Sequence, residues 1–396
     1  MKILMLTPYL PYPLLSGGQT RSYNLLKNLS LTHEITLFSL VKDEREQRYI
    51  GELKKFCKNV VIFPRSNNPW TLRNILLTGF SLYPFLVMRN LSPQEREAIR
   101  AHLREVSYDL IHAETFYVMP HIPKTSIPIL LVEQTVEYLV YKHYVEEQAP
   151  FFLRPLLWID IAKIKFWETY FWQRANRVVA MSEADRHSMQ KLVPGLAVDI
   201  VPNGIDTDYF SIKNKRNVGL QRILYVGNFK WLQNREAVDV LATRIWPRIK
   251  KRIPNAKLLI VGMSLTRKVK ELQSKDIEVV EGMPDIREAY ERADVLVAPI
   301  EGPGGTRLKI LEAMASGVPV VTTKIGIEGL DVRDGIHALI RNTEQDLTEA
   351  TVRVLTDKKL SEKIATNARK LVREKYNWEA SANALDKIYR QLANPQ

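Results

Sequence analysis

Cysteine is all but missing from this chain of 396 residues, with Cys57 the only one. No internal disulfide can form, which points to a reducing compartment. A lone thiol with no evident histidine partner reads as packing rather than as a nucleophile. Histidine is scarce as well, seven in all and scattered. No Cys/His cluster has metal-ligand spacing, so no structural zinc is expected. Neither half shows G-x-G-x-x-G at its first strand-to-helix turn, which argues against a dinucleotide-dependent oxidoreductase. Long hydrophobic runs are lacking too. The longest nearly apolar stretch, Ile75 to Met88, falls short of a membrane span and contains Gly79 and Pro84, so it cannot cross a bilayer as a regular helix. The run Met1 to Pro8 is too short for a signal peptide and reads as a first buried strand. The expectation is a cytoplasmic protein, with the inner face of a membrane as a further place of work.

What the chain does have is a positive balance: 57 Lys and Arg against 44 Asp and Glu, a formal net charge of +13. That excess favours anionic partners, which include nucleic acid, anionic lipid and phosphorylated small molecules. No RNP, KH, helix-turn-helix or zinc-finger pattern accompanies it, so no nucleic-acid partner is expected. Two segments mix cations with aromatics, Trp70 to Arg89 and Pro150 to Arg174. They suit either a membrane surface, with indole rings at the headgroup level, or amphipathic helices that cover a core.

At this length the chain suits two domains of ordinary size, and its 45% hydrophobic and 26% charged residues are those of a folded protein. Strand-like apolar runs alternate with helical ones, the pattern of parallel sheets covered on both faces. In the first half the strands are Ile3 to Leu6, Glu34 to Leu40, Val60 to Phe63, Leu110 to His112, Ile129 to Val132, Arg177 to Met181 and Asp199 to Val201. In the second they are Arg222 to Val226, Lys257 to Val261, Ile277 to Val280, Val295 to Ile300, Val318 to Thr322 and His337 to Ile340. Between the halves, Asn203-Gly204 reads as a turn and the polar run Ser211 to Gly219 as a linker. Two such sheets bind ligands at the carboxyl ends of their strands and would face each other across a cleft.

The most informative segment follows the run Val295 to Ile300. Gly302-Pro303-Gly304-Gly305-Thr306-Arg307-Leu308-Lys309 leads into a helix that carries Glu312. Free backbone N–H groups at the positive end of a helix can hold phosphate oxygens, and Arg307 and Lys309 add fixed charge there. Glu312, on an otherwise apolar helix, can accept hydrogen bonds from paired hydroxyls such as a ribose diol. A nucleotide diphosphate carrying a sugar fits these groups.

With those pieces assembled, the chain resembles the family 4 glycosyltransferases, of the GT-B fold with two doubly wound Rossmann-like domains. Ser16-Gly17-Gly18-Gln19-Thr20-Arg21 looks like the family's first glycine loop. Ser182-Glu183, Val201-Pro202-Asn203-Gly204-Ile205-Asp206 with Phe210, and Tyr225-Val226-Gly227-Asn228 follow in order. Pro284-Asp285, Ala293-Asp294-Val295, Glu312 through Val321 and Gly326-Ile327-Glu328-Gly329-Leu330 complete the match. The resemblance implies transfer of a sugar from a nucleotide-diphosphate sugar, a UDP- or GDP-sugar, to a glycan or lipid-linked acceptor. It implies retention of configuration and no bound metal or other cofactor. The acceptor domain would comprise residues 1–205 plus 377–396, and the nucleotide-sugar domain residues 206–376.

In that scheme Glu312 matches the second glutamate of a paired-glutamate motif and binds the ribose. Gly304, Gly305 and Thr306 present N–H groups to the diphosphate, and Gly17 and Gly18 close its other side. Asn228 and Lys230 complete the donor set, while Arg307 and Lys309 neutralise the leaving phosphate. Glu114 and His112 stand near the reacting carbon, and Arg21 and Glu137 on the acceptor side. Three departures stand out. Gly304 replaces the first glutamate, with Glu301 out of register. Asn228 and Asn234 replace the usual Arg and Lys, and the Gly-Gly-Thr-Arg-x-Lys-x-x-Glu form resembles a subgroup of the family. Glu114 replaces the second histidine of His-x-His, and strand alternation puts His112 on the face opposite Ile111 and Ala113, where it can equally be a packing residue. The resemblance also implies a one-face mechanism in which the leaving phosphate takes the acceptor proton, so no strong protein base is needed. A nucleotide-sugar epimerase of the same architecture and a non-catalytic nucleotide-sugar binder remain the alternatives.

Overall fold

The computed structural model describes residues 1–68, 70–212, 221–302 and 306–393. From residue 213 on, the linker read over Ser211 to Gly219 lies outside the described residues, as do Gly304 and Gly305. The chain divides into two compact units, one formed by Met1–Pro202 with the C-terminal stretch that begins at Trp378, the other by Asn203–Asn377.

In the first unit, β1 (Lys2–Thr7), β2 (Glu34–Val41), β3 (Asn59–Pro64), β4 (Leu110–Glu114), β5 (Ile129–Val132), β6 (Arg177–Ala180) and β7 (Val198–Ile200) form one sheet in the order β3-β2-β1-β4-β5-β6-β7. Every neighbouring pair is parallel. The central strands are buried along nearly their whole length, as parallel strands covered on both faces must be. The second unit repeats the design with β8 (Arg222–Asn228), β9 (Lys257–Met263), β10 (Ile277–Glu281), β11 (Val295–Ala298), β12 (Val320–Thr322) and β13 (Leu339–Ile340), ordered β10-β9-β8-β11-β12-β13. Among the described residues, all thirteen strands fall where the apolar runs put them. Two local readings change. β4 continues past His112 because Glu114 pairs with Val132, which sets His112 and Glu114 on one face, two residues apart. No turn forms at Asn203-Gly204; Ile205 instead donates its N–H to the Tyr376 carbonyl at 2.7 Å and bridges to Asn377.

In each sheet the connections change direction once: between β1 and β4 in the first unit, between β8 and β11 in the second. At such a point the flanking helices leave to opposite faces and a crevice opens at the strands' carboxyl ends. The first helix, Gly17–Leu29, starts at the crevice of the first unit, where the Ser16 side chain accepts the Gln19 N–H. The last helix, Trp378–Ala393, packs against it, with Ala382, Leu385 and Ile388 in the same core as Leu25, Leu26 and Leu29. His33 Nε2 meets Asp386 at 2.7 Å alongside. Cys57 lies in this core too, and burial pushes its thiol up to about 12.

Leu385 has no exposed surface. Leu385→Ala should therefore lower the unfolding free energy by about 2–5 kcal/mol, measured by urea denaturation. A loss below about 1 kcal/mol would show that the last helix is not a working part of this core.

Candidate functional site

The second unit's crevice collects most of the anticipated donor groups. Asn228 ends β8, and Thr306, Arg307 and Lys309 follow β11 at the start of the helix Leu308–Ala315, which carries Glu312 one turn on. Lys309 reaches across the switch point. Its Nζ donates to the Tyr225 hydroxyl at 3.0 Å and to Asn234 Oδ1 at 2.5 Å, and lies 4.2 Å from the centre of the Tyr225 ring. Tyr225 in turn donates to Asn234 Oδ1 at 2.9 Å, and Asn234 Nδ2 donates to the Asn228 carbonyl at 2.7 Å. Gly227 makes room for this: a Cβ there would stand 2.9 Å from Asn234 Cγ. Glu312 Oε2 accepts the Tyr290 hydroxyl at 2.6 Å.

No carboxylate pairs directly with Lys309 in these contacts, and the electrostatics reflect that. Desolvation, then the neighbouring Arg307 charge, holds the Lys309 ammonium well below its ordinary range, with Glu312 pulling the other way. Burial pushes the Glu312 carboxyl up, against the Tyr290 hydrogen bond and the Lys309 charge. Such a site gains from an added anion near Lys309 and from hydroxyl donors to Glu312. Arg307 is half-buried, with Nη2 donating to the Gly302 carbonyl at 2.7 Å, which ties Gly302 to the helix start. Lys230 is exposed, and its N–H donates to Asn228 Oδ1 at 3.1 Å. Glu301 is exposed.

The first unit's crevice is organised differently. His112 and Glu114 are wholly buried. A carboxylate only accepts, so His112 Nε2 donates to Glu114 Oε1 at 3.2 Å, and Nδ1 hydrogen-bonds with the Tyr389 hydroxyl from the last helix. Gln134 Nε2 donates to Glu114 Oε2 at 2.7 Å and to the Tyr9 hydroxyl at 2.6 Å. Burial raises the Glu114 carboxyl, but the His112 hydrogen bond and the His112 and Arg21 charges outweigh it and hold the group below its usual range. Thr115, the next residue, has φ 70°, an uncommon backbone for a β-branched residue and a local strain at the strand's end.

Three expectations change here. Glu114 and His112 were expected beside the reacting carbon, yet neither has accessible surface; they orient Gln134 and Tyr9, which are half-buried. Arg21 was expected on the acceptor side, but it too is wholly buried, and its Nη1 donates at 3.2 Å to the Pro202 carbonyl, which also accepts Ser381 Oγ at 2.9 Å. Gly17 is exposed at the start of the first helix, whereas Gly18 is required within its own unit, since a Cβ would collide with the Tyr9 hydroxyl and Gln134 Oε1. Glu137 is half-buried at the head of the helix Glu137–Glu147, and burial pushes its carboxyl up to about 7, against the Arg89 charge. Behind it Glu168 accepts the Glu137 and Tyr138 N–H groups at 2.7 and 3.1 Å, and Glu133 Oε1 accepts Trp172 Nε1 at 3.0 Å. Burial, then the mutual Glu168 charge, pushes Glu133 far up.

Sequence reading missed Tyr290 and Gln134. Tyr290 lies 22 residues from Glu312, so no spacing rule links them; a tyrosine in the short helix before β11 is the only hint. Gln134 lies just past β5, where no motif marks it. Among the described residues, no three His, Cys, Asp or Glu side chains are grouped to hold a metal ion, and no helix is long and apolar enough to cross a membrane.

The chain is similar to known glycosyltransferases over most of its length. Residues 15–209 match the family model "Glycosyltransferase Family 4" and residues 221–357 the model "Glycosyl transferases group 1". An uncharacterized 44.6 kDa protein in the cps region of Klebsiella pneumoniae is 23% identical, over 95% of this chain and 96% of its own length. A phosphatidyl-myo-inositol mannosyltransferase of Mycobacterium leprae is 25% identical over 54% of this chain and 59% of its own. Among solved structures, sucrose-phosphate synthase from Thermosynechococcus elongatus superposes with a TM-score of 0.77 at 19% identity, covering 99% of both chains. Anabaena HepE in complex with UDP and glucose gives 0.69 at 16% identity, over 99% of this chain and 100% of its own. The fold is GT-B.

Two outcomes test the first unit's crevice. Gly18→Ala should cost about 1–3 kcal/mol in urea unfolding, while Gly51→Ala, on an open helical site, should be neutral or stabilise by up to about 1 kcal/mol; equal effects would remove the close-approach account. For Glu133, a carboxyl raised in the fold favours folding most below the ordinary carboxylate range, and that contribution is lost as pH rises through its folded value. Glu133→Gln keeps an acceptor for Trp172 and cannot ionise. Its stability relative to the parent should grow from nothing at about pH 4 to at least ~1 kcal/mol by about pH 8, and a flat difference would contradict a raised Glu133.

Proposed function

From a glycosyltransferase of the group 1 type, which is what this chain is, we infer retaining transfer of a sugar from a nucleotide-diphosphate sugar to a glycan or lipid-linked acceptor met at an anionic membrane face. The observation that carries this reading is the pair at the second unit's crevice: Lys309, bonded to the neutral Tyr225 and Asn234 and with its charge held down by burial and by Arg307, and Glu312, a carboxyl with one hydroxyl partner already in place. A diphosphate supplies the missing charge beside Lys309 and Arg307, and a ribose diol supplies donors to Glu312. Thr306 with Gly304 and Gly305 belongs to the phosphate loop, and Asn228 and Lys230 to its flank.

In the transfer, the bond between the anomeric carbon and the leaving phosphate oxygen breaks, and the acceptor hydroxyl oxygen bonds to that carbon on the same face. Its proton passes to the departing phosphate. Charge grows on that phosphate as the bond breaks, where Lys309 and Arg307 are preorganised to meet it, and no metal is called upon. Glu114 and His112 act as positioning residues that hold Gln134 and Tyr9, and Glu137 faces the acceptor. The names of the relatives supply a nucleotide, UDP, in HepE, and a lipid acceptor class in the mannosyltransferase.

A screen of UDP-, GDP- and ADP-sugars by calorimetry and slow donor hydrolysis tests this reading. One donor should bind and turn over, and Glu312→Ala should weaken nucleotide binding about 10- to 100-fold, the worth of hydrogen bonds to a charged group. Failure of every nucleotide to bind, or full affinity in Glu312→Ala, would remove the donor site from this crevice.

A further inference from the structure

Helix Leu72–Phe80 in the first unit is turned inside out. Among its described side chains only Asn74 is buried, with Thr78 one turn on half-buried, while Leu72, Ile75, Leu76, Leu77 and Phe80 face solvent, Phe80 at 92% exposure. This orientation is fixed by bonds. Asn74 Nδ2 donates to Ser66 Oγ at 3.0 Å, and the Thr71 side chain caps the helix. Lys163 Nζ donates to the Thr78 and Ser81 carbonyls at 2.8 and 2.7 Å, at the helix end where a cation is favoured. Trp167 Nε1 donates to the Leu82 carbonyl at 2.9 Å. Asn74 is thus held inward against Ser66 while the carbonyls at the helix end are held by the neighbouring helix, and the apolar side turns outward.

That neighbour, Arg154–Arg174, carries large apolar side chains on both its buried and its exposed sides. Ile164, Phe171 and Trp172 enter the core, while Trp158, Ile159, Phe166 and Tyr170 remain exposed on the other side. Large aromatic and aliphatic side chains left in solvent on the side away from the core are surface that a partner can cover. The two outward faces adjoin through the Lys163 and Trp167 bonds, forming an apolar patch of a kind that marks interaction sites.

Charge identifies the cover. Over residues 70–89 and 148–174 the only acidic residues are Asp160 and Glu168, against the basic Arg73, Arg89, Arg154, Lys163, Lys165 and Arg174. Both carboxylates point at backbone: Asp160 Oδ1 accepts the Phe85 N–H at 2.9 Å, and Glu168 accepts those of Glu137 and Tyr138. No carboxylate from these segments is left to repel an anionic surface, and Lys165 stands exposed within the patch. A second copy of the chain would set like charges against each other across a two-fold axis. We propose that this face docks onto an anionic lipid bilayer, placing Phe80, Phe166 and Trp158 at the headgroup boundary with Lys165 against lipid phosphates. The proposal rests on the reading of a membrane-borne acceptor and deepens it by naming the surface.

Flotation of the 396-residue chain with vesicles of phosphatidylcholine alone, or of phosphatidylcholine with phosphatidylglycerol, tests it at low salt. Binding should require phosphatidylglycerol and fall about tenfold or more in Phe80→Glu/Phe166→Glu and in Lys165→Glu, with circular dichroism and donor hydrolysis as in the parent. Quenching of the parent's tryptophan emission by brominated lipid provides a readout that needs no variant. Absence of flotation with either vesicle, flotation undiminished in the double variant, or a dimer in lipid-free solution that the double variant splits would each overturn it. Loss of donor turnover in the parent chain would instead strike the transfer reading and leave the docking result standing.

Discussion

A parallel sheet cannot close on itself at the point where its connections change side, and the chemistry of this protein is arranged around that gap. In each unit two central strands, β1 with β4 and β8 with β11, end next to each other while their helices depart to opposite faces. What fills the ends of those strands decides what each unit can do.

The two fillings differ in electrostatic completeness. In the first unit's crevice the charge of Glu114 is answered: it has His112, Gln134 and the nearby Arg21 charge, and the result is a carboxyl held below its usual range. Nothing further is asked of solvent or substrate, which suits a scaffold for Tyr9 and Gln134. In the second unit Lys309 leans on neutral partners, Tyr225 and Asn234, beside a second cation. Its deficit is the kind of preorganisation that favours a transition state in which negative charge appears on a leaving phosphate. The difference between a finished network and an unfinished one separates support from function more sharply than residue type does.

The sheets were legible in the sequence because buried parallel strands leave continuous apolar runs, and every run became a strand. Glu312 and Lys309 were legible as polar intrusions on an apolar helix. What escaped was anything set by contacts distant along the chain. Glu114 and His112 looked catalytic by motif, but Tyr389 and Gln134, far away in sequence, seal them in. Arg21 looked available until the Pro202 carbonyl claimed it. Gly18 looked like a phosphate loop, and its smallness is spent on Tyr9 and Gln134. For the helix Leu72–Phe80 composition raised the right question, and only the direction of Asn74 and the bonds of Lys163 showed which face turns outward.

The burial of Cys57 has a practical consequence. With its thiol shielded and kept protonated far above neutral pH, the chain behaves toward maleimides and other thiol reagents as though it had no cysteine. A cysteine introduced at any exposed position becomes a unique attachment point without further engineering. Spin labels or fluorophores can then be placed one on each unit, and the rearrangements of the enzyme through its reaction cycle followed in the otherwise natural sequence.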